Sequence, residues 1–163
     1  GHFYLKDREG LYPHYPKANT KNLILTESII DAETLLQLRS LPDETGKFLR
    51  QYDVLACYGT EGTAEQTEAI RKLNELEEVI IFFDGDEAGK VGSAKLAETL
   101  EQSNANFKIS LVSAPEGEDV NSLLQSHEAA IFLHLLEKRK PFSIQQKSEE
   151  HQTATRSEQY LLH

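Results

Sequence analysis

The stretch VIIFFDGDEAG, residues Val79–Gly89, decides the fold. Its first five residues are apolar, and they run directly into Asp84, which is followed by a glycine, Asp86, a glutamate, an alanine and the last glycine. A short apolar run without alternation predicts a strand that is buried on both faces, as in parallel sheets. Carboxylates spaced this closely repel each other, and holding a hard divalent cation is one use that makes such crowding worthwhile.

Strands and helices alternate on both sides of this stretch. Strands are predicted over Leu23–Thr26, Asp53–Gly59, Val79–Asp84 and Phe107–Ala114. Segments with helical spacing follow each of them, at residues 27–41, 64–76, 87–103 and 119–138. Strands that alternate with helices, and that are apolar throughout, predict an α/β fold with a compact sheet of about four mainly parallel strands covered by helices on both faces.

Composition narrows the class of protein. The 163 residues fit one domain, and their formal net charge of −10 weakens, without excluding, a nucleic-acid binder, because phosphate affinity comes mainly from Lys and Arg. The single cysteine, Cys57, rules out an intramolecular disulfide within the sequence and is expected to be a buried reduced thiol. No apolar run approaches the ~20 residues of a membrane span, so a cytoplasmic protein with no membrane partner is expected.

Acidic residues follow three of the four predicted strands. In open parallel α/β sheets, ligands bind at the carboxyl ends of the strands. Glu27 follows the first strand, Tyr58–Gly62 the second, Asp84 and Asp86 the third, and Pro115–Asn121 the fourth. Mg²⁺ takes oxygen ligands and usually binds through one or two carboxylates plus substrate phosphate, which makes it the fitting cation for this edge.

A structural alternative exists for each acid taken alone. Glu27, Asp86 and Asp119 each precede or begin a predicted helix, where the macrodipole favours negative charge, so each could be a cap. Asp31, four residues after Glu27, could be a surface residue or could orient a neighbouring loop. The combination favours the metal hypothesis, since one cap suffices for a helix and here a pair follows the third strand while other carboxylates follow the first and fourth.

Four segments together resemble a known family. The segments LILTESIIDA, ACYGTEG, IIFFDGDEAG and PEGEDVNSLL, in that order and spacing, resemble the Toprim domain of bacterial primases, topoisomerases, some nucleases and recombination proteins, over about residues 22–125. The nearest type is the DnaG-type and plasmid- or phage-type primase, whose third motif reads Asp-Gly-Asp-x-Ala-Gly, as Asp84–Gly89 does. The resemblance implies a Rossmann-like Toprim fold, with a lead-in at residues 1–21, the Toprim domain at 22–140 and a polar carboxyl-terminal tail or linker at 141–163.

The resemblance also assigns roles to residues. It makes Glu27 the acid/base glutamate and also a metal ligand, and it makes Asp84 and Asp86 the Mg²⁺-binding pair, with Mn²⁺ as a substitute. Asp119 joins the metal ligands, although the turn reads Asp119-Val120-Asn121 where primases usually have Asp-x-Asp. Ser28 stands where the family commonly has glycine, which would narrow the approach of a substrate phosphate to the backbone.

The resemblance further implies a function. The chain is expected to be the catalytic core of a DNA primase-like nucleotidyltransferase, making RNA primers on single-stranded DNA from nucleoside triphosphates, and to be inactive as an isolated fragment. A zinc-ribbon module and a helicase domain or partner are the expected companions in DNA replication. Two alternatives stay open: a Toprim nuclease that hydrolyses phosphodiesters with the same carboxylates, and a non-catalytic Toprim scaffold that binds DNA or recombination proteins.

Overall fold

A five-stranded sheet with the strand order β2-β1-β3-β4-β5 forms the centre of the protein. The computed structural model describes residues 10–57, 63–102 and 106–143. The strands are β1 (Asn22–Thr26), β2 (Asp53–Ala56), β3 (Glu78–Phe83), β4 (Lys108–Ser113) and β5 (Lys140–Pro141). The helices are α1 (Ile29–Leu38), α2 (Glu44–Leu49), α3 (Ala64–Arg71), α4 (Glu87–Gln102), α5 (Val120–Ser126) and α6 (Ala130–Glu137).

The first four strands are parallel, which confirms the predicted α/β fold with about four mainly parallel strands. β1 pairs with both β2 and β3, and β3 pairs with β4, in parallel throughout. β5 pairs with β4 in the antiparallel direction through only two residue pairs. The sequence did not predict β5, because two residues containing a proline carry no strand pattern.

Both faces of the sheet are covered. All six residues of β3 are buried, as expected for a central parallel strand. Alternate residues of this strand enter two separate hydrophobic clusters: Ile80 and Phe82 pack with α1, α5 and α6, while Val79, Ile81 and Phe83 pack with α3 and α4. This arrangement explains why the strand is apolar without alternation.

Helix caps define most helix starts. Ser28, Asp43, Thr63 and Asp119 each accept a hydrogen bond from the backbone N–H three residues on. Thr63 does so in a reciprocal capping box with Gln66. α2, which begins after Asp43, was not predicted, because its six residues are too short to show an apolar period.

The described lead-in residues attach to the outer edge of the sheet. Tyr12 exchanges two backbone hydrogen bonds with Ala56 of β2, with N···O distances of 3.1 and 2.8 Å, and Leu11 is buried. Residues 1–9, 58–62, 103–105 and 144–163 lie outside the described part of the chain. The predicted division into lead-in, Toprim domain and tail therefore stays a prediction, as does the second-strand turn at Tyr58–Gly62. No helix within the described ranges is long and apolar enough to cross a bilayer.

The amino end of β3 carries a saturated buried carboxylate. Glu78 accepts hydrogen bonds from Tyr52 Oη at 3.0 Å, Ser110 Oγ at 2.9 Å and Arg139 Nε at 2.7 Å, and a fourth from Arg139 Nη2 at 3.2 Å. Burial alone would raise the pKa of Glu78, but the hydrogen bonds from Arg139 and Ser110 and the Arg139 charge outweigh it and lower this pKa. The ion pair fixes the segment between α6 and β5 to the centre of the sheet.

Candidate metal centre

Glu27 lies in the turn between β1 and α1, at the carboxyl edge of the sheet. β1 ends at Thr26, and Ser28 caps α1 by accepting the Asp31 N–H at 3.2 Å, so Glu27 is held between two fixed residues. Ser28, which departs from the glycine of the resembled family, thus has a structural role as the N-cap.

Asp84 and Asp86 lie in the turn between β3 and α4, directly beside the β1 turn because β1 and β3 pair. Asp84 is the first residue after the strand and is partly buried. Asp86 is exposed, and its Oδ1 accepts the Gly89 N–H at 2.7 Å, which caps the start of α4. The two carboxylates of the i, i+2 pair therefore have different environments.

The turn after β3 is joined to the loop after β4 by backbone contacts. Gly85 donates its N–H to the Glu118 carbonyl at 2.8 Å, and Gly117 donates to the Gly85 carbonyl at 3.2 Å. A Cβ at Gly85 would lie 2.1 Å from the carbonyl oxygen of Pro115, so only glycine permits this approach. These contacts fix the position of the fourth-strand loop relative to Asp84.

Asp119 follows this loop and begins α5. Its Oδ1 accepts the Ser122 N–H at 2.7 Å, and Ser122 Oγ accepts the Asp119 N–H at 2.9 Å, which completes a capping box. Asn121 contributes its backbone, since its N–H donates to Asp31 Oδ1 at 3.2 Å. The α5 start and the α1 start are thereby connected.

Asp31 is the residue whose importance the sequence understated. It is only 2% exposed, so the surface interpretation is wrong, and its hydrogen bond with Asn121 agrees with the alternative that it orients a neighbouring loop. The signal available in the sequence was its spacing, four residues after Glu27 and therefore in the first turn of α1. Its burial depends on packing between α1 and α5, which no local pattern reveals.

The carboxyls interact electrostatically across these turns. Burial raises the pKa of Asp84 to about 7, with a further contribution from the neighbouring Glu27 carboxyl and the Asp119 charge. The pKa of Asp31 rises to about 6, mainly through burial and also through the charges of Asp84 and Asp119. Burial also raises the pKa of Glu27, to which the charges of Asp86 and Asp31 add. Glu27, Asp31, Asp84, Asp86 and Asp119 therefore form one acidic cluster.

Two oxygen atoms of the acidic cluster lack the hydrogen bonds that buried carboxylates normally have, as expected of a cation-binding site. Glu27 Oε1 and Asp84 Oδ1 are buried and have no hydrogen-bond partner, and they are two of the three such side-chain atoms in the described ranges. A buried carboxylate oxygen without a donor costs free energy, which a cation relieves. The donors are all oxygen, as Mg²⁺ requires.

The geometry limits how many protein ligands one ion would have. Within the described residues, no three His, Cys, Asp or Glu side chains are arranged to hold a metal ion together. Mg²⁺ does not need such a cage, because it commonly binds through one or two carboxylates and completes its shell with water and substrate phosphate. The cluster fits Mg²⁺ in that mode, with Glu27 and Asp84 as the pair whose oxygens lack partners.

Comparison with known proteins identifies the family. A family model described as Toprim-like matches residues 24–124, well over half of the chain. The chain belongs to the Toprim-like family. The Toprim-like match begins in β1 and ends in α5, so it includes all three turns that contribute to the acidic cluster.

Individual relatives are primases. The chain is 39% identical to a DNA primase of Enterococcus faecalis over 75 residues, which are 45% of this chain and 12% of that protein. The fold is similar to that of the Aquifex aeolicus primase (zinc-binding and RNA polymerase domains), with a TM-score of 0.63 and 22% identity, covering 85% of this chain and 32% of that one. It is also similar to a DnaG primase catalytic domain bound to single-stranded DNA, with a TM-score of 0.58 and 22% identity, covering 77% and 36%. The Toprim-like chain thus spans only a small part of the curated relative that it matches.

Proposed function

We propose that this chain is the Toprim catalytic core of a DNA primase-like protein, which makes RNA primers on single-stranded DNA by Mg²⁺-dependent nucleotidyl transfer. The observation that carries the proposal is the pair of unpartnered buried oxygens, Glu27 Oε1 and Asp84 Oδ1, within the acidic cluster at the carboxyl edge of the sheet. The similarity to a DNA primase and to primase folds supports the primase reaction over others that Toprim proteins carry out.

A bound Mg²⁺ would neutralise developing charge on the transferred phosphoryl group and align the attacking 3′-hydroxyl. Glu27 and Asp84 would hold it, and Asp86 and Asp119 would contribute negative charge while they cap α4 and α5. Glu27 is also the proposed acid/base residue, in the state in which it does not ligate the ion, because burial raises its pKa and its carboxyl then holds a proton more readily than in water. Asp31 would position the α5 start through its contact with the Asn121 N–H.

The partners of the whole protein are part of the proposal. Single-stranded DNA would be the template and nucleoside triphosphates the substrates, with a zinc-ribbon module and a helicase domain or partner acting beside this core in the cytoplasm. One similar structure contains a zinc-binding domain and another was determined with single-stranded DNA. The formal net charge of −10 on this chain indicates that most of the template contact comes from other parts of the protein.

Metal binding is tested on the chain itself. Calorimetric titration with Mn²⁺ and with Mg²⁺ is expected to give binding to the native chain and none to Asp84→Asn. Glu137→Gln, which neutralises an acid at the end of α6, outside the acidic cluster, is the matched control and should bind as the native chain does. Equal binding by the native chain and Asp84→Asn would refute the proposed centre.

The reaction is tested on the full-length parent protein. Labelled ribonucleotides and a single-stranded template are expected to yield short labelled oligoribonucleotides in the presence of Mg²⁺, and Glu27→Gln should abolish them. A shortened template without such products would indicate the nuclease instead. No product and an intact template, with metal binding retained, would indicate a scaffold.

A further inference from the structure

A cavity of about 170 Å³ opens beside the acidic cluster, between α4 and the carboxyl-terminal parts of β3 and β4. It lies on the β4 side of Asp84, whereas Glu27 approaches Asp84 from the β1 side. The side chains that give it its chemistry are Phe83, Asp84, Lys90, Ser93, Leu111 and Ser113. Asp84 is the member of the acidic cluster that lines this cavity, and the other five of these side chains have no role in the proposed metal centre.

The cavity has two kinds of lining. Phe83 and Leu111 form an apolar floor from adjacent strands, and both pack against the cluster on the α4 side of the sheet. Lys90 and Ser93 of α4 and Ser113 of β4 provide an ammonium and two hydroxyls at its rim. All three rim residues can donate hydrogen bonds to an anion.

Lys90 is the decisive residue of the rim. It is exposed, and the ion pairs found among the described residues do not include it. Its ammonium is therefore available beside a cluster of carboxylates without being paired to one of them. Its backbone is held in place, because its N–H donates to the Asp86 carbonyl at 3.0 Å.

The hydroxyls differ in availability. Ser93 Oγ donates to the Lys90 carbonyl at 3.0 Å and would have to rotate to donate elsewhere. Ser113 is exposed at the end of β4, beyond the two residue pairs that β4 forms with β5, and no hydrogen bond of its side chain is found within the described ranges. Lys90 and Ser113 are thus the donors that can bind a ligand without first breaking a hydrogen bond found in the described part of the chain.

The cavity is large enough for one small chemical group of a ligand and too small for a whole nucleotide. Pockets that enclose drug-sized ligands have volumes of roughly 300–1,000 Å³, so a cavity of about 170 Å³ does not enclose a whole nucleotide. An ammonium with adjacent hydroxyls is a donor set suited to phosphate. The Asp84 carboxylate in the lining would repel a bare phosphate, so the anion is expected to enter together with the proposed cation of the acidic cluster.

We infer that this cavity binds a phosphate group, with Lys90 as the counter-charge on the side of Asp84 away from Glu27. The inference rests on the proposed function, since the phosphate would share its charge with the proposed metal ion. The phosphate can come from the tail of a nucleoside triphosphate or from the backbone of a nucleic-acid strand. Lys90 would bind either through the same charge-assisted hydrogen bonds.

The test uses the chain with two probes, inorganic pyrophosphate and a short single-stranded oligothymidylate, each titrated with and without Mg²⁺. Lys90→Ala is expected to weaken Mg²⁺-dependent pyrophosphate binding by roughly tenfold, as the loss of one charge-assisted contact implies, and Lys90→Arg should restore most of it. Lys95→Ala removes the same charge from the same helix outside the cavity and should bind as the native chain does. Mn²⁺ affinity should stay unchanged in all three variants.

The outcomes separate the two sources and the two proposals. A Lys90 effect on pyrophosphate supports the triphosphate source, and an effect on the oligothymidylate alone supports the strand source. If the metal binds but neither probe depends on Lys90, the phosphate inference is refuted while the metal centre stands. If no metal binds, the proposed metal centre is refuted, and the titrations without Mg²⁺ test the cavity alone. Probe binding that is weakened by Lys90→Ala then supports the phosphate inference, and probe binding that Lys90→Ala leaves unchanged refutes it.

Discussion

Neutralising Asp84, a partly buried carboxylate of the acidic cluster, should stabilise the metal-free protein. Asp84→Asn keeps the shape of the side chain and removes its charge, and the new amide can donate to the neighbouring carboxyls. The folded-state pKa of Asp84 is about 7, well above its ordinary 3.8. Between about pH 4 and pH 7 the native chain therefore binds more protons at this position than the unfolded chain, so its stability falls as the pH rises through that window.

The magnitude follows from the size of the pKa shift. A shift of about 3 pKa units corresponds to about 4 kcal/mol at a pH above both values. Asp84 is partly exposed and its ionisation is shared with Glu27, so solvent screening reduces the penalty to about 1–2 kcal/mol. For a chain of this size, the melting temperature of Asp84→Asn at pH 8 in EDTA should exceed that of the native chain by roughly 3–6 °C.

Thermal unfolding followed by circular dichroism, at pH 8 with EDTA and then with Mg²⁺, measures both parts of the prediction. Saturating Mg²⁺ should raise the melting temperature of the native chain, because the ion binds only the folded state, and should leave Asp84→Asn unchanged. Asp86→Asn is the matched control in EDTA: Asn caps a helix as well as Asp does, and Asp86 is exposed, so its melting temperature should change by less than about 2 °C. A lower melting temperature for Asp84→Asn in EDTA would refute the repulsion on which the metal proposal depends.

Two further substitutions test the frame that holds the acidic cluster. Gly85→Ala places a Cβ 2.1 Å from the Pro115 carbonyl oxygen, so the loop after β4 must move. The free energy of unfolding measured in urea should fall by about 2–3 kcal/mol, and Mn²⁺ binding should weaken. A native-like unfolding curve would contradict the close approach. Glu78→Gln breaks the ion pair with Arg139 and should cost about 3 kcal/mol at pH 7. Because the folded-state pKa of Glu78 is lowered, the stability it contributes is present above its ordinary pKa of 4.5 and is lost as the pH falls through the folded-state value. The urea midpoints of the native chain and Glu78→Gln should therefore converge as the pH falls from 7 to 3, and a constant difference would contradict the assignment.

The fold was predictable because its central strands are unusual in composition. β3 has no polar residue between Val79 and Phe83, and a strand buried on both faces leaves few alternatives to a parallel sheet with helices on each side. α2 escaped prediction because six residues do not establish a period, and its start depends on a single cap, Asp43. β5 exists only through its pairing with β4, which is a tertiary contact.

The acidic cluster was only partly predictable, for a different reason. The sequence places Glu27, Asp84 and Asp119 after the first, third and fourth predicted strands, but capping and metal binding both favour an acid at such positions, and the sequence does not show that these strands are neighbours. The structure shows that Asp86 and Asp119 do cap their helices, which leaves their proposed metal contributions as predictions. The burial of Asp31 could not be read from the sequence, since it arises where α1 and α5 meet.

The two ends of β3 differ in how their carboxylates are hydrogen-bonded. The comparison shows that the missing donor at Asp84 Oδ1 is not a feature of every buried carboxylate in this protein. Glu78, at the first residue of the strand, receives four hydrogen bonds, and its pKa is lowered in spite of burial. Asp84, directly after the last residue, keeps a buried oxygen without a partner, and its pKa rises to about 7. The protein therefore provides hydrogen-bond donors for the buried carboxylate at the amino end of β3, whereas one oxygen of Asp84, at the end where the metal centre is proposed, has none. A Mg²⁺ ion beside Asp84 would supply the compensating positive charge that Arg139 supplies to Glu78 at the other end of the strand.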